Sequence, residues 1–389
     1  MKTIRLAQLA VVLLLVPIPA QAQLASQEWG KHGGSYRIHR KAEHLENLPL
    51  GPFAILPDGR LFTVEDSANA TNALISADGG KTWQKSPMFT EPDKFSIRYE
   101  RALICTQDGT VIVAFMNDVE RTGWKWDPAI HDAPDARLPT YAVRSTDGGQ
   151  TWETPQMLHD DWTGAIRDMI QLRNRTVVFT SQMLLHGPGR HATVTYSSKD
   201  DGTSWQRSNI IDLGGIGHHD GAIEATLVQR NDDSLLLLMR TNWGRLWQAV
   251  SKNSGKQWHP IGPTTLDAAT APPILERLQS GRIFLAWNRY YYEGTEESPT
   301  YGGDNQRSGT LTSNNRQELS IAFSENDGET WGDPVVVATV PPDANGTYPR
   351  KEVAYPYVFE RRPGELWLTT WRGAGLRVRL FEKDFLGPE

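Results

Sequence analysis

Apolar residues along this chain gather into short runs, and most of the runs come in pairs joined by a tight polar turn. Six pairs stand out: Phe53–Val64, Ala102–Val113, Met169–Val178, Ala225–Leu236, Pro273–Phe284 and Tyr357–Leu368. Turns such as Asp58-Gly59, Asp108-Gly109 and Pro363-Gly364 interrupt them. Runs of this length, bounded by Gly, Asp, Asn and Pro, predict β-hairpins and not helices. A second pattern follows five of the six hairpins: Ser76–Trp83, Ser145–Trp152, Ser198–Trp205, Ser251–Trp258 and Ser324–Trp331. Each reads approximately Ser-x-Asp/Asn-x-Gly-x-Thr-Trp. The Asp or Asn folds its side chain onto the backbone, the Gly supplies a positive φ, and the Trp fills the gap between neighbouring sheets.

The tryptophans of these segments are 69, 53, 53 and 73 residues apart, a unit of about fifty with insertions in the second and fifth. Repetition at that period signals a radial array of small sheets. Six hairpins imply six blades, so the expected fold is all-β: a single six-bladed β-propeller spanning residues 23–389, with no linker and no second domain. A ring must close, because an open edge strand invites aggregation. Ser35–His39 is the expected closing strand of the last blade.

Composition narrows the class further. With 39% hydrophobic and 22% charged residues the chain can build a packed core. A net charge of −6 argues against a nucleic-acid partner held on a basic face. One cysteine, Cys105, excludes a disulfide framework, and the His/Asp-rich spots match no zinc spacing, so neither metal nor other cofactor is expected. Lys2 and Arg5, the apolar run Leu9–Pro17 and the small-residue end Ala20-Gln21-Ala22 have the layout of a cleavable signal peptide. Cleavage after Ala22 and a secreted or periplasmic location are expected. The run is too short for a permanent membrane span.

In a propeller the innermost strand of each blade follows the central axis, so its start, and the end of the next strand, converge on one mouth. Taken blade by blade, those positions are Glu65-Asp66; Arg98, Glu100, Arg101 and Asn117-Asp118; Arg167-Asp168 and Gln182; His218-His219-Asp220, Glu224 and Arg240; Thr270, Pro272 and Arg289; and Glu352, Tyr355, Tyr357 and Arg372. Burying so many charged groups without purpose is costly. The set suits a pocket for an acidic, hydroxylated ligand.

The Ser-x-Asp-x-Gly-x-Thr-Trp segments resemble the Asp-box of the sialidase superfamily of β-propellers, and the resemblance covers the whole mature chain at the level of blades. It implies a tyrosine nucleophile activated by a glutamate, an aspartate as acid/base and three arginines that clamp a carboxylate. On that resemblance Glu224 and Arg240 are similar to the family's glutamate and second arginine, Arg289 to the third arginine, Tyr355 to the nucleophile and Asp66 to the acid/base. The family's first arginine lies in a Phe/Tyr-Arg-Ile-Pro motif, where this chain has Leu50-Gly51-Pro52-Phe53. Arg37, in Tyr36-Arg37-Ile38-His39, imitates the motif further upstream; Arg37, Arg101 and Arg167 are the candidate replacements. A neutral tyrosine suits attack at a carbon that already bears a carboxylate, since an anionic nucleophile would be repelled there.

The implied activity is that of an exo-glycosidase removing a terminal acidic sugar, sialic acid or a relative, from glycans. Two alternatives stay open. His219 is a potential base for β-elimination from a uronate, with an arginine neutralising the carboxylate; and the propeller could bind glycans without turnover. The insertions Val119–Leu138 and Tyr290–Asn314 carry Trp124, Trp126 and Tyr290-Tyr291-Tyr292, and are expected to arch over the mouth as sugar-stacking faces.

Overall fold

A computed structural model describes residues 29–30, 36–341, 352–373 and 375–386. The proposed signal segment lies outside them. Six antiparallel sheets surround one axis. The first blade comprises Ala54–Ile55, Leu61–Val64, Asn72–Ser76 and Gln84–Pro87, and the second Ala102–Cys105, Val111–Met116, Thr140–Ser145 and Gln156–His159. The third contains Ile166–Gln171, Val177–Leu185, Arg190–Ser198 and Gln206–Arg207; the fourth Ile223–Gln229, Leu235–Arg240, Arg245–Ser251 and Ile261–Asp267. Ile274–Arg277, Ile283–Trp287, Glu318–Ser324 and Val335–Thr339 make the fifth, and Val353–Arg362, Glu365–Gly373 and Arg377–Phe381 most of the sixth.

The second strand of each blade is an apolar run because both its faces are buried. In the second blade, Val111, Val113 and Phe115 pack with the first blade, while Ile112, Ala114 and Met116 pack with the third. The alternation of a strand thus feeds two inter-blade cores at once. Six apolar clusters follow, one at each junction between neighbouring blades.

All five Ser-x-Asp/Asn turns share one hydrogen-bond pattern. The serine hydroxyl accepts the N–H of Gly80, Gly149, Gly202, Gly255 or Gly328 at 2.8–3.0 Å. The Asp or Asn side chain accepts the N–H four residues on, at 2.9 Å in every copy. Two of the glycines show why the position is fixed. A Cβ on Gly80 would stand 2.7 Å from the Trp367 ring, and one on Gly328 2.5 Å from Leu236, each on the preceding blade, and both residues have positive φ.

Ring closure differs from the expectation. Arg37–His39 pairs with Val335–Thr339 and widens the fifth blade, because Tyr36 and Ile38 bury into the core between blades five and six. The sixth blade is completed instead by Glu43–His44, whose residues pair with Arg379 and Val378. The ring therefore closes through a strand from the N-terminal side, but one a few residues later than expected. Among the described residues no helix is long and apolar enough to cross a membrane.

Candidate active site

At the mouth, the inner strands of the fourth and sixth blades each take a left-handed backbone turn just where the candidate carboxylate and phenol stand, and in the fourth the register shifts there as well. The shift in blade four falls between Ile223 and Thr226, and Glu224 has φ +49°. In blade six Ala354 pairs with Arg372 and Pro356 with Thr370, and Tyr355 between them has φ +62°. Left-handed backbone at a non-glycine costs on the order of 1–3 kcal/mol and persists only where surrounding structure enforces it. Here the result is that side chains from blades four and six point at each other. The Tyr355 hydroxyl donates to Glu224 Oε1 at 2.9 Å, and Arg240 Nη1 donates to Glu224 Oε2 at 2.6 Å and lies 3.3 Å from the Tyr355 oxygen. All three residues are buried.

The supports of this triad are equally specific. Arg240 donates from Nε and Nη2 to the Thr270 hydroxyl at 3.0 and 2.6 Å, and that hydroxyl donates to Asn242 at 2.6 Å. Gln182 accepts the Glu224 N–H at 3.0 Å. Burial pushes the Glu224 carboxyl up, but the charge and hydrogen bond of Arg240, with Arg167 and Arg316, outweigh it and hold the group below its ordinary range. The Tyr355 phenol is raised, by burial first and then by the Glu224 charge, against the pull of Arg316 and Arg240. An ionised carboxylate hydrogen-bonded to a protonated phenol is a base already poised on its nucleophile.

Two more arginines flank the phenol. Arg316 and Arg372 stand 5.4 and 5.7 Å from the Tyr355 ring centre, and both reach Glu352, at 3.6 and 2.8 Å. Arg316 also donates to the Thr270 carbonyl at 2.6 Å. Arg240, Arg316 and Arg372 thus come from the fourth, fifth and sixth blades and surround one phenol, enough to bind a carboxylate. Beside them opens a cavity of about 190 Å³, whose lining includes Glu100, Trp124, Gln182, His219, Glu224 and Arg372. Its far wall is uncharged. Trp124 stacks on Trp162 at 4.2 Å and lies 6.4 Å from the His191 ring. Burial lowers His191 to about 4 and, with Arg240 close by, holds His219 well below the usual imidazole range, so both rings are neutral near pH 7.

The remaining expected residues stand elsewhere. Asp66 pairs with Arg377 at 2.6 Å, with a side chain over one-third exposed, and is not part of the cavity lining. Its neighbour Glu65 is buried but also outside the cavity lining, held by Thr71, Asn72 and Lys85 on the outer side of blade one. Arg289 is taken by Glu293 at 2.7 Å and Asp267 at 3.6 Å, away from Glu224. Arg37 is exposed on the strand that Arg37–His39 adds to the outer side of blade five. Arg101 is fully buried and spends its guanidinium on the carbonyls of Val64 and Glu65, tying blade two to blade one. Arg167 lies behind Tyr355, sandwiched against the Tyr357 ring at 4.5 Å and donating to the Pro356 carbonyl at 2.6 Å. Arg316 stands after the long insertion and just before the third strand of its blade, Glu318–Ser324, whereas the expected positions lie on first and second strands. The insertions do reach the site: Trp124 lines the cavity, and Tyr301 edges against His219 at 6.2 Å. Among the described residues no group of three or more His, Cys, Asp or Glu is placed to hold a metal ion.

A six-bladed ring with serine–aspartate turns and a tyrosine–glutamate pair inside an arginine cluster defines a sialidase-superfamily propeller. The chain belongs to the family described as BNR repeat-like domain, whose profile matches residues 65–368. It is similar to a sialidase of Bacteroides fragilis (26% identity; 47% of this chain, 36% of the relative) and to one of Micromonospora viridifaciens (24%; 74% and 46%). The chain thus spans less than half the length of these curated relatives. Among solved structures, a Dyadobacter fermentans protein of unknown function superposes with TM-score 0.59 at 14% identity, covering 87% of this chain and 98% of its own. The Hadza microbial sialidase Hz136 superposes with TM-score 0.59 at 16% identity, covering 91% and 69%. At such identities the superpositions speak for the fold.

Proposed function

We propose that this protein is an exo-glycosidase that removes a terminal acidic sugar, sialic acid or a relative, from glycans. The observation that carries the reading is the hydrogen-bonded chain Tyr355–Glu224–Arg240, with Arg316 and Arg372 beside it. Arg240, Arg316 and Arg372 bind the sugar carboxylate and orient the adjacent anomeric carbon over the Tyr355 oxygen. Glu224 takes the phenol proton as that oxygen attacks, which keeps the nucleophile neutral until the bond forms. The neutral wall of Trp124, His191 and His219 accommodates the uncharged part of the ring. Arg316 and Arg372 take the places for which Arg289, Arg37, Arg101 and Arg167 were candidates. The signal-like segment ending at Ala22 supports work outside the cytoplasm.

A second reading has one observation in its favour: His219 is a neutral, buried base in the same cavity, near Arg240. It would serve β-elimination from a uronate. Incubation with a fluorogenic sialoside, in parallel with uronate polysaccharides read by absorbance and mass, separates the two. Release of the fluorophore supports the glycosidase. An unsaturated product absorbing in the near ultraviolet supports elimination, and binding without any product leaves a glycan-binding propeller.

A further inference from the structure

The site as described has a nucleophile, a base and a carboxylate clamp, but no proton donor for the departing oxygen. Among the residues lining the cavity, two carry carboxyls, Glu224 and Glu100. Glu224 is committed to Tyr355 and Arg240. Glu100 is buried at 8% exposure, and among the described residues the one cation within 4.0 Å of its carboxyl is Arg98, at 3.9 Å. Arg98 is itself engaged by Asp118 at 2.5 Å. Glu100 is therefore present at the cavity without a strong partner.

Its backbone is held to the nucleophile's own strand. The Tyr357 hydroxyl, two residues beyond Tyr355, donates to the Tyr99 carbonyl at 2.8 Å and accepts the Arg101 N–H at 3.1 Å, gripping the chain on both sides of Glu100. The Tyr99 ring stacks on Trp371 at 5.3 Å, and Trp371 packs on Tyr355 at 4.8 Å. A backbone anchored to the nucleophile's strand on both sides of Glu100 sets where its carboxyl can reach relative to Tyr355, as proton transfer requires.

Resting on the glycosidase reading above, we propose that Glu100, and not Asp66, is the acid/base of this site. In the first step the Tyr355 oxygen bonds to the anomeric carbon, the glycosidic C–O bond breaks, Glu224 takes the phenol proton, and Glu100 gives its proton to the leaving oxygen. In the second, Glu100 takes a proton from water, the water oxygen bonds to the anomeric carbon, the Tyr355 C–O bond breaks, and Glu224 returns the proton to the phenol. The charged and titratable groups facing Glu100 suit the first role. Burial and then the Glu224 charge raise its pKa, against the pull of Arg98 and Arg167, which favours the protonated form that a proton donor needs. Arg372 and Tyr355 share the cavity with it.

The test compares Glu100→Gln and Asp66→Asn in the full chain on two sialosides that differ only in leaving group, an aryl (4-methylumbelliferyl) and an alkyl or sugar aglycone. The aryl group departs with little acid help. Glu100→Gln is expected to lower kcat/KM at least about 100-fold on the alkyl substrate and less than about 10-fold on the aryl one, and to remove the alkaline limb of the pH–rate profile. Asp66→Asn should change both substrates by less than about fivefold. Retained aryl turnover shows that the variant folds. Equal losses on both substrates in Glu100→Gln, loss of aryl turnover altogether, or a leaving-group-selective loss in Asp66→Asn overturns the assignment. A wild-type chain silent on every sialoside overturns the glycosidase reading beneath it, a failure recognisable because it does not depend on the variant.

Discussion

Replacing Glu224 with Gln keeps the shape of the side chain and removes one proton acceptor. Arg240 can only donate, so the amide oxygen must turn toward it, across the contact that is now 2.6 Å. The amide NH₂ then faces the Tyr355 oxygen, now 2.9 Å from Oε1, and the phenol must accept where it used to donate. It can no longer lose its proton along that bond. Loss of a positioned base costs about 10²–10⁴ in rate, so a fall in kcat of about 10³, roughly 4 kcal/mol of barrier, is expected on the substrate that the wild type turns over. Stability also falls, because Arg240 is 1% exposed and loses its counter-ion. Breaking a buried pair costs about 3–5 kcal/mol, and since one hydrogen bond to Arg240 survives, a loss near 3 kcal/mol is expected. Tyr355→Phe removes the other half of the same device. Groups that act as a unit are not additive, so the double variant should be little slower than the slower single one. Steady-state rates and thermal melts of the four proteins complete the cycle. Two single losses that multiply to about 10⁶ in the double variant, or a Glu224→Gln enzyme within a few-fold of wild type, would refute the coupling of Tyr355 to Glu224.

Other expectations follow from the same contacts. Thr270→Val strips Arg240 of the acceptor for both Nε and Nη2; stability should drop by about 2 kcal/mol and KM should rise more than kcat falls, read by denaturation and kinetics. Gly328→Ala forces a Cβ to 2.5 Å from Leu236 at a φ of +82°, and should cost about 1–3 kcal/mol in urea melts while leaving KM unchanged. His191 remains unprotonated in the fold down to about pH 4 but protonates near 6.5 when unfolded, so the unfolded state binds the extra proton first as pH falls. Stability should therefore decline between pH 6.5 and about 4, by up to roughly 3 kcal/mol from this group alone, and His191→Gln should flatten that slope.

The blades were legible because their signal is local. Strand, turn and Ser-x-Asp turn each require particular residues within about a dozen positions, and the five tryptophans repeat that requirement around the ring. The same is true of Glu224, Arg240 and Tyr355, which stand at strand positions that any blade of this kind carries to the mouth. Ring closure was only partly legible. Arg37–His39 and Glu43–His44 both look like edge strands, and which one closes the ring depends on Tyr36 and Ile38 finding the core between blades five and six.

Side-chain partnership was settled further still from the sequence. Arg101, Arg167, Arg289 and Arg316 are equally cationic on paper, and each direction is fixed by the groups that surround it in the folded ring: carbonyls of blade one for Arg101, the Pro356 carbonyl of blade six for Arg167, Glu293 of the adjoining insertion and Asp267 of blade four for Arg289, and Thr270 with Glu352 for Arg316. In the proposed assignment Asp66 and Glu100 likewise exchange roles, because Arg377 claims the former and Tyr357 fixes the chain around the latter. A periodic sequence determines the repeated scaffold, because hairpin chemistry acts between neighbours along the chain. Which charges face the cavity is decided only when six blades close, because burial makes every unpaired charge costly and several of the partners come from elsewhere in the ring.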